Sequence, residues 1–344
     1  MEARSNIKLK VRFIFMLILF IILAPFLSIF MKYKVDLDFT FVQNFNTIFI
    51  SIILEAIPFI LLGAFVSALI QEYISEQFIA KIIPKNKFLG LLGASLLGLI
   101  FPVCECAIIP ITKRLIKKGV PTGIAVTFML AVPIVNPIVL LSTYYAFYDR
   151  PVMVFIRGAF GLLVAVIVGF LITCLEDKDS NTIIQDKADL DYKCYCGCSS
   201  YNAYYNKHST IKSLLEHTSK EFINILRYLI LGAVLSAIFQ TLIPKQSIAF
   251  LGHHQIYSVL TLMLLAFVLS VCSEADAFIA RTFLGQFTVG AIAAFLILGP
   301  MLDIKNTLML CGNFKKGLVI RLITYILLIT LSVGFIVNTL LCGE

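Results

Sequence analysis

Two short polar clusters with ligand-binding side chains interrupt an otherwise apolar sequence. The first is VCEC at 103–106, in which a glutamate lies between two cysteines, and the second is VCSEAD at 271–276. A charged side chain at hydrocarbon depth costs roughly 2.5 to 3.5 kcal/mol on insertion scales, so we expect these acids to have a function. Thiolates with carboxylates suit a borderline or soft ion, such as zinc, better than sodium or magnesium. We therefore predict a solute-binding site formed by Cys104, Glu105, Cys106, Cys272, Ser273, Glu274 and Asp276.

The composition indicates which class of protein positions these clusters. Hydrophobic residues make up 60% of the chain and charged residues only 14%, which is unlike a soluble domain. A membrane-spanning helix needs about 20 apolar residues. Runs of that length lie near 11–31, 46–71, 121–147, 151–175, 219–243, 285–311 and 317–340. The sequence therefore predicts an all-α polytopic protein of the cytoplasmic membrane.

Two further apolar stretches, 86–118 and 255–284, are each too long for one helix and contain the polar clusters. We predict that each forms a broken-helix hairpin of the re-entrant type, which returns to the side of the membrane it entered from. Lysine and arginine gather in the cytoplasmic loops of membrane proteins. With the N-terminus inside, the basic run at 113–118 is cytoplasmic only if the chain turns back at VCEC.

The chain also contains an internal repeat. Residues 57–71 (IPFILLGAFVSALIQ) align without a gap with 226–240 (LRYLILGAVLSAIFQ), and six of the fifteen positions are identical. Downstream, the two polar clusters correspond to each other as well. In the predicted topology the first copy is entered from outside and the second from inside, so the copies form an inverted pair. Inverted repeats with broken helices are a transporter architecture, whose site lies near the midplane.

A second pair of helix breaks lies downstream of the clusters, where Pro133 corresponds to Pro300 and Asn136 to Asp303. Asn136 suits an N-cap and Pro137 suits the first helical position, so we predict a half-helix that begins there. Asp303 is predicted to cap the matching half-helix. We therefore include Pro133, Asn136, Pro300 and Asp303 among the predicted substrate-binding residues.

Helix capping alone is an alternative explanation for part of this pattern. Ser273, followed by Asp276, resembles a capping box that opens the helix ADAFIARTF, with Asp in place of the usual Glu or Gln. Capping would thus account for Ser273, Asn136 and Asp303. It does not account for the thiols or the two glutamates of the clusters, which therefore favour a binding role.

Four segments are predicted along the chain. They are an N-terminal transmembrane helix and outer loop (1–45), a first permease repeat (46–175), a polar linker (176–218) and a second, inverted repeat (219–344). The linker is predicted to be cytoplasmic and largely disordered. It contains three cysteines and a histidine that could take a soft metal, although their spacing fits no standard zinc finger: Cys194, Cys196, Cys198 and His208. A dispensable cysteine-rich tether is the alternative.

Several other function classes fit the sequence poorly. There is no GxxxxGK[ST] phosphate loop and no HExxH motif. Glu274 and Asp276 are two residues apart, so on a helix they point to different faces and cannot form an aspartyl-type dyad. The net charge of +8 is explained by cytoplasmic loops and requires no nucleic acid. A scaffold that arose by gene duplication remains an alternative, and it would tolerate glutamine at Glu105.

The clusters resemble those of a known family. The runs PVCECAIIPITKRLIKKGVPTGIAVTFMLAVPIVNPIVL (102–140), SVCSEADAFIARTF (270–283) and GPMLDIKN (299–306) are similar to the bacterial predicted-permease family that includes the ArsP-type organoarsenical efflux permeases. The resemblance covers about 46–312 and implies a cytoplasmic-membrane permease with its path at the paired motifs. ArsP-type members carry a cysteine-rich motif where this chain has VCEC, with Glu105 between the cysteines.

The sequence thus predicts a secondary-type transporter, not an enzyme, for a small solute that is a metal ion or a thiol-seeking arsenic species. We predict no resident cofactor, because a bound metal ion would be the substrate. The expected partners are the lipid bilayer, the solute and an accessory or membrane protein. Two alternatives stay open: a proton-coupled carrier of a non-metal solute, and a membrane component of a multi-subunit system without transport activity of its own.

Overall fold

A computed structural model describes residues 39–73, 86–99, 103–175, 210–242 and 255–340. Within these ranges every regular element is helical. The first half of the chain contributes α1 (Phe39–Tyr73), α2 (Lys87–Leu96, extended by a 3₁₀ turn, Leu97–Leu99), α3 (Glu105–Lys117), α4 (Thr122–Val135), α5 (Pro137–Ala146), α6 (Val152–Phe155, followed by a π-helical turn, Ile156–Phe160) and α7 (Gly161–Leu175). The second half contributes α8 (Thr210–Leu242), α9 (Gln255–Leu269), α10 (Asp276–Arg281), α11 (Val289–Met301), α12 (Ile304–Asn313) and α13 (Lys316–Leu340).

Six segments of the described residues are long and apolar enough to cross a membrane. They are Phe41–Ile70, Thr122–Ala146, Val152–Cys174, Leu214–Leu242, Val289–Asn313 and Lys316–Leu340. These segments match six of the seven predicted spans, which are therefore confirmed. The seventh predicted span, 11–31, lies outside the described residues.

Two helices begin earlier than the sequence predicts. Helix α1 starts seven residues before position 46, and Phe45 of this extension stacks on Phe49 one turn later, with ring centroids 5.8 Å apart. Helix α8 starts at Thr210, so residues 210–218, which were assigned to the disordered linker, are helical. An i,i+4 ion pair between Lys220 and Glu216 (2.6 Å) supports the helix in this region. The remainder of the linker, 176–209, lies outside the described residues.

The two halves contain the same order of elements. Each half has a long helix (α1; α8), a pair of shorter helices (α2 and α3; α9 and α10), a broken helix (α4 and α5; α11 and α12) and a closing helical segment (α6 and α7; α13). The long helices α1 and α8 pack against each other. Helix α3 packs against α1, and α12 packs against both α8 and α3, so the two halves meet beside the long pair.

Glycines bring the closing helices close to the broken ones in both halves. A Cβ atom on Gly123 of α4 would lie 1.8 Å from Thr173 Oγ1, and one on Gly169 of α7 would lie 1.8 Å from Thr127 Oγ1. In the second half, a Cβ atom on Gly290 of α11 would lie 2.1 Å from the Gly334 carbonyl oxygen of α13. Small residues allow such close backbone approach between membrane helices. These contacts fix the broken helices in place.

Candidate functional site

Glu105 is the first residue of α3, and Cys104 occupies the N-cap position before it. The free N–H groups of a helix N-terminus stabilise a negative charge placed there. The side chain is nonetheless almost entirely enclosed, because Glu105 is 1% exposed. Neither carboxylate oxygen accepts a hydrogen bond. Glu105 is therefore a buried acid with unused acceptor capacity.

Lys305, on the second half of the chain, supplies the counter-charge. Its Nζ atom lies 3.6 Å from Glu105 Oε1 and 3.6 Å from Asp303 Oδ2. Lys305 is 4% exposed, so the whole charge cluster is shielded from bulk solvent. The backbone of Lys305 lies directly against α8, because a Cβ atom on Gly232 would be 2.9 Å from Lys305 Cα. The two halves therefore meet at an ion pair.

Asp303 is held at the break between α11 and α12. Its Oδ1 atom accepts a hydrogen bond from the Asn306 backbone N–H (2.6 Å), which confirms the predicted N-cap. Its Oδ2 atom accepts a hydrogen bond from the Ser270 hydroxyl (2.7 Å). Ser270, directly after α9, lies in the left-handed region of φ, at 51°, a conformation that few non-glycine residues adopt. This turn brings the second polar cluster beside the α12 cap.

The cysteines of the two clusters lie close to the buried acids. Cys104 and Cys106 are buried free thiols, and the partly buried Cys272 donates a hydrogen bond to the carboxylate of Glu55 on α1. Cys272 interacts electrostatically with Glu105 of the first cluster and with Glu274 of its own cluster. Among the described residues, however, no three His, Cys, Asp or Glu side chains are arranged to hold a metal ion.

Asp276 forms a second buried ion pair with Arg157, beside the Ser273 carbonyl. Arg157, in the π-helical turn, is fully enclosed, and its guanidinium donates to Asp276 Oδ2 (2.8 Å), to the Ser273 carbonyl (3.0 Å) and to Thr143 Oγ1 (2.8 Å). The capping box predicted for Ser273 is wrong. Helix α10 begins at Asp276 after an Ala275 N-cap, and the Ser273 hydroxyl makes no hydrogen bond. The turn at 273–275 directs the Ser273 carbonyl to Arg157, so its hydroxyl does not reach the helix.

The first-half break lies at Asn136, as predicted. Its side chain accepts a hydrogen bond from the Ile138 N–H (3.0 Å), and Pro137 occupies the first turn of α5. Pro133 and Pro300 lie inside α4 and α11, where each leaves the carbonyl four residues earlier without its helical donor.

A small cavity adjoins the charge cluster, with room for about one water molecule. It is lined by Glu105, Ile108, Ile109, Met129, Leu130, Pro300, Met301, Asn306 and Leu310. Asn306 Oδ1 is buried and, like the Glu105 oxygens, has no hydrogen-bond partner. The structure therefore places Pro300 beside Glu105. The four linker residues proposed as metal ligands, Cys194, Cys196, Cys198 and His208, lie outside the described residues.

Polar contacts also join the two halves at opposite ends of the Thr122–Ala146 span. Near the start of the span, Arg114 forms an ion pair with Glu221 (2.9 Å) and Lys113 donates to Asn313 Oδ1 (3.3 Å). Beyond its other end, Arg281 forms a hydrogen-bonded ion pair with Asp149. This hydrogen bond from Arg281 holds the pKa of Asp149 below its usual range.

Three charged residues of the site were not predicted from the sequence: Lys305, Arg157 and Glu55. Each is a charged residue within or directly beside an apolar run, in GPMLDIKN, VFIRGAF and IILEAI respectively. Charged residues in membrane segments usually pair or face an aqueous cavity, so their position in apolar runs is a sequence signal that marks them as candidate site residues. Asp276, the partner of Arg157, is 119 residues away in sequence, and Cys272, the partner of Glu55, is 217 residues away. The sequence alone therefore does not identify these pairs.

Comparisons with known proteins give the family. The family model described as "Predicted permease" (ArsP_1) matches residues 41–339. The chain is 44% identical to the UPF0718 protein YcgR of Bacillus subtilis over 296 residues, which is 85% of this chain and 96% of that protein. It is 40% identical over 276 residues, 80% of this chain and 89% of the other, to a Streptococcus mutans protein predicted to be a two-component membrane permease complex subunit. No solved structure shows significant similarity to the chain.

These findings and the six apolar spans make the protein a multi-pass protein of the cell membrane, and not an enzyme. The resemblance carried by the two polar clusters is thereby confirmed. The chain belongs to the ArsP_1 predicted-permease family, the UPF0718 proteins.

Proposed function

We propose that this permease is a secondary-type transporter that moves a small solute, a metal ion or a thiol-seeking arsenic species, across the cytoplasmic membrane. The observation that carries the proposal is Glu105, an acid that is 1% exposed and has two oxygens without hydrogen bonds at the contact between the halves. A purely structural acid would have its acceptors satisfied. Unused acceptors at such a position favour a ligand that binds there during the transport cycle.

The charges around Glu105 favour a cation or proton over an anion. Glu105 interacts electrostatically with two further acids, Asp303 and Glu274, and Lys305 is the base that pairs with Glu105 and Asp303. The surplus of carboxylates attracts positive charge in a low-dielectric surrounding. The thiols of Cys104, Cys106 and Cys272 add soft ligand atoms at the same place. Assembly of a metal-binding geometry would require movement of the two clusters toward each other.

We further propose that the two halves are inverted copies and that α2 with α3, and α9 with α10, are re-entrant hairpins. Helix α3 has 13 residues, about 20 Å, which is shorter than the hydrocarbon thickness of about 30 Å. The matching order of elements supports the duplication. The glycine contacts support it as well, because Gly169 and Gly334 both occur in the sequence VGF and both lie against the broken helix of their own half.

The energy source that fits best is a gradient of protons or ions. The sequence carries no phosphate-binding loop for ATP. Inverted-repeat carriers work by exposing a midplane site alternately to each side. One ion pair lies at each end of the Thr122–Ala146 span: Arg114 with Glu221, and Arg281 with Asp149. In such a cycle, each ion pair could break while the other remains formed.

Two alternatives have specific support. The name of the Streptococcus mutans relative, which describes a two-component complex, favours a chain that works with a partner subunit. The lack of a grouped metal-ligand set among the described residues favours a proton-coupled carrier of a non-metal solute. The main proposal and the proton-coupled carrier both require Glu105, so loss of function at Glu105 does not separate them. Transport by the purified chain alone would exclude an obligatory partner subunit.

The linker cysteines Cys194, Cys196 and Cys198, with His208, are proposed to capture a soft metal before transport. Deletion of 185–205 tests this role. We expect normal membrane insertion and basal transport, with less metal retained by the cell extract when the metal is scarce. Unchanged metal retention would mean that the segment is only a tether.

A cellular experiment tests the proposed function. A strain without the gene is grown across a panel of metal salts and arsenicals, and its metal and arsenic contents are measured by mass spectrometry. The wild-type gene and Glu216→Gln, a substitution in the exposed part of α8, are expected to restore the contents, and Glu105→Gln is not. If Glu105→Gln restores the contents at equal membrane abundance, Glu105 is not part of a transport path and the proposal fails.

A further inference from the structure

We propose that the Lys305 ammonium occupies the position of a cationic substrate, so that a cation binds at Glu105 and Asp303 only by displacing it. The inference rests on the proposed transport function and narrows it to positively charged solutes. Lys305 would then do more than neutralise buried acids: it would select for cations and exchange with them at the two carboxylates.

The geometry between the three side chains is that of a loosely held cation. Lys305 Nζ is equidistant, at 3.6 Å, from Glu105 Oε1 and Asp303 Oδ2. Hydrogen bonds from an ammonium to a carboxylate are normally about 2.7 to 2.9 Å long. Both Glu105 oxygens therefore remain without a hydrogen bond, although the ammonium is nearby. A ligand that approached more closely would gain interactions that Lys305 does not make.

The acids are positioned independently of the lysine. Asp303 keeps two other partners, the Ser270 hydroxyl at 2.7 Å and the Asn306 N–H at 2.6 Å. The backbone of Glu105 is fixed at the first residue of α3, where the helix N-terminus favours a negative charge. The Asp303 carboxylate would therefore stay in place if the ammonium moved away, and the Glu105 carboxylate would be free to turn toward a bound cation.

The lysine, in contrast, can move only at its far end. Its Cα, Cβ and Cγ atoms lie 2.9 to 3.3 Å from the point where a Cβ atom on Gly232 would be, so α8 clamps the backbone and the first part of the side chain. The remaining methylene groups and the ammonium form an arm with several rotatable bonds, which is enclosed but not clamped by Gly232. Displacement therefore requires rotation of the arm and no change in the helix.

The chemical class of the ligand follows from charge balance. The two carboxylates carry two negative charges, of which the single ammonium offsets one, so a divalent cation in its place offsets both. A neutral arsenic(III) species would leave the carboxylates uncompensated if it displaced the lysine. Cys106 and Cys272 interact electrostatically with Lys305, and thiol ligands favour a soft or borderline cation over a hard one.

The experiment compares Zn²⁺ binding to purified wild type, Lys305→Met and the control Lys113→Met, measured by calorimetry in the same detergent at one pH. Lys113 is also a buried lysine, but it lies at the far end of α3 and donates to Asn313. Removal of the competing charge is expected to tighten Zn²⁺ binding at least about tenfold in Lys305→Met. The control is expected to bind like the wild type.

Equal or weaker Zn²⁺ binding by a folded Lys305→Met protein overturns the inference, because a purely structural lysine would cost affinity when removed. Absence of Zn²⁺ binding in both proteins overturns it equally. If Lys305→Met does not fold, Lys305→Arg decides: its permanent charge and fork of donors should weaken Zn²⁺ binding below the wild type, and equal or tighter binding overturns the inference. The transport proposal is judged separately, by the cellular contents with Glu105→Gln.

Discussion

Gly63 and Gly232 occupy equivalent positions in the repeated segment, and each lies against one side of the same charge pair. A Cβ atom on Gly63 of α1 would be 2.3 Å from Ala107 Cβ, two residues after Glu105. A Cβ atom on Gly232 of α8 would be 2.9 Å from Lys305 Cα. Because α1 and α8 pack against each other, their relative position sets how far Glu105 lies from Lys305.

Substitution of these glycines therefore tests the packing of the site. We expect Gly63→Ala and Gly232→Ala to lower the unfolding temperature in detergent and to reduce transport, because backbone atoms must shift to admit the methyl group. Gly93→Ala is the control. No atom lies within 4 Å of its added Cβ, and alanine favours a helix by about 1 kcal/mol over glycine. Equal behaviour of all three variants would contradict the close packing.

The buried pair between Arg157 and Asp276 should be costly to break from one side. Arg157→Met leaves the carboxylate of Asp276 enclosed without its partner, and we expect a loss of about 3 to 5 kcal/mol in the free energy of unfolding. The double variant Arg157→Met with Asp276→Leu removes both charges and should recover much of this loss. Unfolding in mixed micelles of the double variant and of both single variants gives the coupling energy between the two side chains. If the two single losses simply add in the double variant, the ion pair is not the reason for the loss.

Surface labelling tests the proposed orientation. Lys117 is near the end of α3, whereas Asp149 follows α5, and both are exposed. In intact cells, a membrane-impermeant maleimide should modify a cysteine introduced at Asp149 and leave one at Lys117 unmodified, relative to the unsubstituted chain. Labelling of Lys117→Cys from outside would contradict both the hairpin arrangement and the cytoplasmic assignment of 113–118.

The ion pair between Asp149 and Arg281 predicts a specific pH dependence of the unfolding temperature. Because the pKa of Asp149 is lowered by the Arg281 hydrogen bond, this pair stabilises the folded protein above the ordinary carboxyl range, about pH 4, and the contribution is lost as the pH falls. Asp149→Asn should thus unfold at a lower temperature than wild type near neutral pH. We expect the difference to vanish in acid and to shrink with salt, since the pair is partly exposed. A difference that is constant with pH would contradict this interpretation.

The sequence predicted those features that depend on neighbouring residues. Six spans followed from the length and apolarity of single segments. The caps at Asn136 and Asp303 followed from side chains that bond to the backbone two or three residues onward. Such signals are local, so one sequence is sufficient to read them.

The features that were missed depend on tertiary packing. The proximity of Lys305 to Glu105 arises because α12 packs against α3 and α8, and no local pattern encodes that contact. The failure at Ser273 has the same origin. Its turn is shaped by the guanidinium of Arg157, 116 residues earlier in the chain, which takes the carbonyl and leaves the hydroxyl without a role in capping.

The most direct test of the account is solute flux in proteoliposomes with an applied pH gradient. Zn²⁺ uptake is compared between wild type, the control Glu216→Gln and the single variants Cys104→Ser, Cys106→Ser, Cys272→Ser, Glu105→Gln and Glu274→Gln. We expect flux in the wild type and control, and a strong loss in the cysteine and glutamate variants at equal reconstitution. Normal flux in the cysteine variants with loss in the glutamate variants would exclude soft ligands, and normal flux in all five would contradict a transport site at Glu105.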